Sequence, residues 1–134
     1  MRRHYTTIVD VHAGIWAGCG RMGFGKLGAM EVIIQKTDDA AAMLAARIVA
    51  NELRANPHLV LGLATGKTME RVYAHLVRMH QQEKLDFSLC STFNLDEYVG
   101  LPASDPHSYR HYMDQHLFGK VNLERHTTAA GTAI

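Results

Sequence analysis

Several short stretches of the chain hold residue types that could do chemistry. Asn94-Leu95-Asp96-Glu97-Tyr98 sets two carboxylates side by side after an apolar run. Adjacent carboxylates repel, and one of such a pair can take a raised pKa suited to moving a proton. A solvated acidic turn has the same composition, so the pair alone leaves the choice open. Ala64-Thr65-Gly66-Lys67-Thr68 is a small-residue turn between an apolar run and a helical pattern. Amides at a helix start, together with the helix dipole, favour an anion there, so the turn reads as a phosphate seat. The plainer alternative is a strand-to-helix turn in which Thr65 or Thr68 only caps. Gly66-Lys67-Thr68 also looks like the end of a P-loop, but Leu61 stands where that motif needs its first glycine. Gly18-Cys19-Gly20-Arg21-Met22-Gly23 matches GxGxxG, yet Gly25 and Gly28 fall where the helix of a dinucleotide site should run. His107 and His111 lie one helical turn apart, but no third ligand is identified and no metal is assigned. No residue pattern calls for a cofactor.

These residues need elements to place them. Val32-Ile33-Ile34 is a β-branched run fit for a buried strand. Thr37-Asp38-Asp39 supplies cap and dipole chemistry for a helix running to about Ala55. Ala45, Ile48, Val49 and Leu53 share one face of it, Arg47, Asn51 and Arg54 face water, and Asn56-Pro57 stops it. Leu59–Leu63 reads as a second strand. Met69, Val72, Tyr73, Leu76, Val77 and His80 follow helical spacing, and Phe87–Phe93 reads as a third strand. A polar loop covers Asn94–Asp105. Tyr109, Tyr112, Met113, His116 and Leu117 form another helical stripe, closed by Gly119, and its Tyr109, Tyr112 and Met113 read as core and not as a cofactor box. The tail after Leu123 has no clear pattern. Strands alternating with helices predict an α/β fold, a Rossmann-like parallel sheet with right-handed crossovers.

Of the 11 glycines, six (Gly14, Gly18, Gly20, Gly23, Gly25, Gly28) fall before Met30. Such density penalises helix and strand alike, so residues 1–29 read as a poorly ordered arm with a short strand at Thr6–Val11. Met30 is an alternative start of the folded protein, and residues 30–134 read as one α/β domain. Lys plus Arg is 14 against 13 Asp plus Glu. A net charge of +1 gives no bulk case for nucleic acid or anionic lipid as a partner. Cys19 and Cys90 are too far apart for a zinc spacing and read as reduced thiols of a cytoplasmic protein. No apolar run approaches a membrane span, and Met1-Arg2-Arg3 is not followed by the apolar core of a signal peptide.

Three blocks then converge. Leu61-Gly62-Leu63-Ala64-Thr65-Gly66, Thr92-Phe93-Asn94-Leu95-Asp96-Glu97-Tyr98-Val99-Gly100-Leu101-Pro102, and His107-Ser108-Tyr109 after Pro106 resemble the glucosamine-6-phosphate deaminases in order and spacing. The related 6-phosphogluconolactonases belong to the same superfamily. The FNxDEYxGL block is specific, whereas the TG turn alone is not. The resemblance covers about Leu59 to Leu123, with a weaker match back to Met30.

The resemblance implies a single α/β domain acting on a sugar phosphate without a cofactor. It implies aldose–ketose isomerisation with hydrolytic loss of ammonia, giving fructose 6-phosphate. Ala64, Thr65, Gly66, Lys67 and Thr68 inherit the phosphate turn. Asp96 inherits the base that moves a proton between C2 and C1 of the opened sugar, with Glu97 as its carboxylate neighbour in the same site and Tyr109 nearby. Lys67 and Met69 depart from the small residue and proline usual in that turn. A phosphogluconolactonase-like hydrolase is the second enzyme reading, which the Asp96-Glu97-Tyr98 run argues against. A remnant that only binds sugar phosphate is the third. A homo-oligomer is compatible with all of them. The family's ring-opening histidine block and its further basic residues are not among the 134 residues. The expectation is therefore an N-terminal part of the family domain, with an incomplete sheet, that does not turn over by itself.

Overall fold

The structure is a computed structural model and describes residues 32–124 and 128–129. The arm at 1–29, its strand at Thr6–Val11 and the GxGxxG stretch lie outside the described residues. The chain divides into two compact units, residues 1–41 and 42–134, and the site discussed below lies wholly in the second.

Helix α1 spans Asp38–Ala55. The Thr37 hydroxyl accepts the Ala40 amide at 3.1 Å, and Asp38 and Asp39 sit in the first turn, where the helix dipole favours them. Its stop is local: the Asn56 side chain accepts the His58 amide at 3.2 Å. The buried stripe is rotated from the expected one. Ala42, Ala46, Ala50 and Leu53 are buried, while Ala45 and Val49 pack only partly against the core and Ile48 is half-buried. Ala42, Ala46 and Ala50 recur at i, i+4 and so share the buried face with Leu53.

Strand β1 is Val60–Leu63, helix α2 is Lys67–Glu83 and strand β2 is Ser91–Asn94. Helix α3 is Tyr109–His116, followed by a 3-10 turn at Phe118–Lys120. A two-residue strand β3, Thr128–Ala129, completes a parallel sheet of order β1-β2-β3. The α/β parallel class expected from the alternation is what forms. One core joins Leu61 and Leu63 of β1, Val72, Tyr73 and Leu76 of α2, and Met113 and Leu117 at the end of α3. No helix among the described residues is long and apolar enough to cross a membrane.

Three further expectations change. Val32–Ile34 forms no strand: it makes no ladder, and Val32 and Ile34 are exposed. The third strand is shorter than Phe87–Phe93. Phe87 donates its amide to the Asn122 side chain at 2.9 Å and Cys90 donates to the Phe87 carbonyl at 3.3 Å, so residues 87–90 spend their donors on a turn and not on a ladder. Phe87 and Cys90 are buried all the same, and burial pushes the Cys90 thiol up to about 11, which leaves it unreactive near neutrality. The patternless tail supplies β3, whose backbone pairs Thr92 with Thr128 and Phe93 with Ala129.

Candidate active site

Parallel pairing aligns the ends of β1 and β2. Leu63 stands opposite Asn94, and the Leu95 amide donates to the Leu63 carbonyl at 3.0 Å. The turn 64–68 therefore leaves β1 beside the point where Asn94–Tyr98 leaves β2. This is the carboxyl edge of a parallel sheet, where α/β folds bind ligands.

The turn is shaped by Gly66, the residue preceding α2, at φ 129° and ψ 160°. Only glycine adopts that conformation readily. A Cβ there would meet nothing within 4 Å, so the need for glycine is conformational and the space before it is open. No side chain caps α2, so neither Thr65 nor Thr68 plays the plain capping role. The Gly66 carbonyl accepts the Met69 and Glu70 amides at 2.9 and 3.2 Å. By position, the amides of Lys67 and Thr68 are the first-turn donors left for an outside acceptor. Lys67 and Thr68 are exposed, and Ala64 and Thr65 half-buried. Two tyrosines brace the turn from behind. The buried Tyr73 donates to the Ala64 carbonyl at 2.5 Å, and Tyr112 donates to the Gly66 carbonyl at 2.9 Å while accepting the Gly66 amide at 3.3 Å.

The two adjacent carboxylates have parted company. Glu97 is committed to backbone: it accepts the amides of Tyr98 at 2.9 Å, Tyr109 at 3.0 Å and Arg110 at 2.9 Å. Tyr109 and Arg110 open α3, so Glu97 supplies a negative charge and two acceptors to a helix N-terminus. Burial pushes its carboxyl up, but the Tyr109, Tyr98 and Arg110 amides outweigh that and hold it below the usual carboxylate range. Asp96 is exposed, and no hydrogen bond to its carboxylate exists among the described residues.

Tyr109 adjoins this carboxylate. Its phenol donates to the Tyr98 hydroxyl at 3.4 Å, and the two rings lie 5.0 Å apart, tilted. The Tyr98 hydrogen bond, with burial and the Asp96 charge behind it, pushes the Tyr109 phenol up, while Thr65 opposes this. Asp96, Thr65, Tyr98 and Tyr109 thus share one neighbourhood, which brings the turn and the acidic block together. His107 and His111 do not converge. His107 pairs with Asp105 at 3.0 Å, and the His111 ring meets the Gln115 side chain at 2.9 Å.

The sequence reading does not single out Tyr98, Tyr73 or Tyr112 for the candidate site. Tyr73 and Tyr112 stand out there only by helical spacing, Tyr112 as core. Their rings do pack with the core, and only their hydroxyls reach the turn.

The chain has clear relatives, although no family model matches it. It is 51% identical over 94 residues to glucosamine-6-phosphate deaminase 2 of Giardia intestinalis, a match covering 70% of this chain and 35% of that protein. It is 42% identical over 106 residues to glucosamine-6-phosphate deaminase 1 of Bacillus subtilis, covering 78% of this chain and 44% of the relative. Among solved structures, it is similar to a monomeric glucosamine-6-phosphate deaminase described as a missing link of the NagB superfamily. The TM-score there is 0.68 at 41% identity, over 70% of this chain and 39% of the other. The matches therefore span 35–44% of the length of these relatives. Within that span, sequence and fold agree: over 70–78% of its length the chain is similar to glucosamine-6-phosphate deaminases.

Proposed function

We propose that the chain carries two of the working parts of a glucosamine-6-phosphate deaminase: the phosphate turn and the carboxylate that shuttles a proton. The turn at Ala64–Thr68 takes the phosphate through the Lys67 and Thr68 amides, with the Lys67 ammonium adding a point charge. Asp96 takes the proton from C2 of the opened amino sugar and returns it at C1, which leaves an imine at C2; water adds to that imine and ammonia departs, giving the ketose. Tyr109 and Thr65 line the space between turn and carboxylate. Glu97 acts on the reaction only through the backbone it holds. The setting is cytoplasmic sugar metabolism.

One observation carries this reading: Asp96 is the uncommitted carboxylate of the pair, at the same sheet edge as the turn. Proton transfer needs a carboxylate whose lone pairs are not already spent on backbone amides. The names of the relatives supply the substrate.

Calorimetric titration of the chain with glucosamine 6-phosphate tests the proposal, with glucosamine and inorganic phosphate as controls. Saturable binding is expected, kept in Asp96→Asn and lost in Gly66→Val, where a β-branched residue cannot hold the φ of 129°. Equal affinity in Gly66→Val would put the phosphate elsewhere. Absence of sugar-phosphate binding in the unmutated chain would overturn the reading.

A further inference from the structure

Helix α3 touches both halves of the site. Glu97, the residue after Asp96, holds its first amides at 3.0 and 2.9 Å. The Ser108 side chain caps the same end, accepting the His111 amide at 3.0 Å. Three residues on from Tyr109, a rise of about 4.5 Å along a helix, Tyr112 reaches the other half. Its hydroxyl contacts both polar groups of Gly66, accepting the amide at 3.3 Å and donating to the carbonyl at 2.9 Å.

The double contact matters because of the residue it grips. Glycine reaches more of backbone space than any other residue, so nothing intrinsic to Gly66 keeps it at φ 129°. The orientation of its peptide determines where the next amides, those of Lys67 and Thr68, are aimed. A single phenol oxygen now bonds one polar group of each of the two peptides that flank the Gly66 Cα, the second of which carries the Lys67 amide, and the helix carrying the phenol is itself pinned beside Asp96.

We propose that Tyr112 is a positioning residue, and that α3, clamped by Glu97 at its start and gripping Gly66 one turn later, sets the turn 64–68 and the Asp96 loop at a fixed separation. The inference rests on the reading that this turn receives the phosphate. The Tyr112 ring packs partly against the core and lies 4.3 Å from the His116 ring, so Tyr112→Phe keeps the packing and removes only the oxygen.

Two measurements on the full chain test it, amide hydrogen exchange at Gly66 and calorimetric affinity for glucosamine 6-phosphate. In Tyr112→Phe, Gly66 should exchange faster, and affinity should fall by about threefold to tenfold, the worth of one ordinary hydrogen bond. Val72→Ala, a core change away from the turn, serves as the control for general destabilisation and should leave affinity within about twofold. Glu97→Gln supplies the arm specific to α3. It does not touch Gly66, yet it should speed Gly66 exchange as well. Unchanged Gly66 exchange in Tyr112→Phe overturns the grip, and unchanged exchange in Glu97→Gln overturns the link through α3. Equal affinity loss in Val72→Ala reduces Tyr112 to a merely structural part. If the unmutated chain binds no sugar phosphate, the phosphate reading fails, while the two exchange results still decide the grip and the link.

Discussion

At the scale of single residues, the pair Asp96–Glu97 shows how one step along the chain separates two identical charges. Glu97 accepts three amides that follow it in the chain, and Asp96 accepts none among the described residues. The two neutralising substitutions should therefore fail differently. Placed in a chimera that joins this chain to the part of the Bacillus subtilis relative lying beyond the match, Asp96→Asn should keep the fold and lower ammonia release by about a hundredfold or more. Near-normal release would remove Asp96 from the role. Glu97→Gln should cost stability instead, because an amide is a weaker acceptor than a carboxylate for three N–H groups. The pH dependence follows from the same geometry. The folded pKa of Glu97 lies below its usual value of about 4.5, so its stabilisation is complete above that value and fades as pH falls through the depressed one. Asp86 and Asp105 are also held low, first by the Ser88 and His107 amides respectively, and contribute in the same direction. Chemical denaturation of the chain between pH 6 and pH 3 should thus show falling stability, with a shallower fall in Glu97→Gln. An identical slope in the variant would mean that the three contacts contribute nothing.

At the scale of elements, the sequence was readable where local chemistry and burial agree. The Thr37 cap, the Asn56 stop, the strand ending at Leu63 and the stripe Val72, Tyr73, Leu76, Val77 all stand where spacing put them. It misled where pairing decides. Apolar content could not reveal that Phe87 gives its amide to Asn122, 35 residues away, nor that Thr128 and Ala129 find β2. Nor does a helical stripe reveal that the tips of Tyr73 and Tyr112 are polar tools while their rings are core. Asp96 and the turn could be singled out from sequence, but that Glu97 and not Asp96 is held by backbone amides could not, since that depends on the position of α3. One element carries a local cost. Helix α2 ends at Lys84 in the left-handed region, at φ 55°. Leu85 donates to the Met79 carbonyl at 3.3 Å, and the His80 ring meets the Leu85 carbonyl at 2.6 Å, so the cap is fixed despite the side chain. Lys84→Gly should raise stability by about 0.5–1 kcal/mol, the gain from glycine at such a cap. A thermal melt of the variant checks it, and a lowered midpoint would show that the Lys84 side chain does more than occupy the position.

At the scale of the whole sheet, the register leaves a question of coverage. Leu61, Leu63 and Thr92 point to one face and are buried. Val60 and Phe93 point to the other and are 59% and 43% exposed, with Leu89 and Leu95 exposed at the two ends of β2. Parallel sheets are stable chiefly with both faces covered, because their strands carry apolar side chains on each. A bare apolar face that also presents β-branched and aromatic side chains is a site for association. The chain should therefore self-associate in a concentration-dependent way. Replacing both exposed residues by threonine, Val60→Thr with Phe93→Thr, keeps β propensity while making the face polar. Because neither side chain belongs to the core, the unfolding free energy of the double variant should stay within about 0.5 kcal/mol of the original. Sedimentation velocity over a hundredfold range of concentration decides the matter. The original chain should sediment faster as concentration rises, and the double variant should hold the sedimentation coefficient of a single chain further up the range. A single-chain coefficient throughout, with Val60 and Phe93 in place, would mean that the open face does not drive association. Loss of the fold in the double variant would instead show that those side chains stabilise the sheet from the outside.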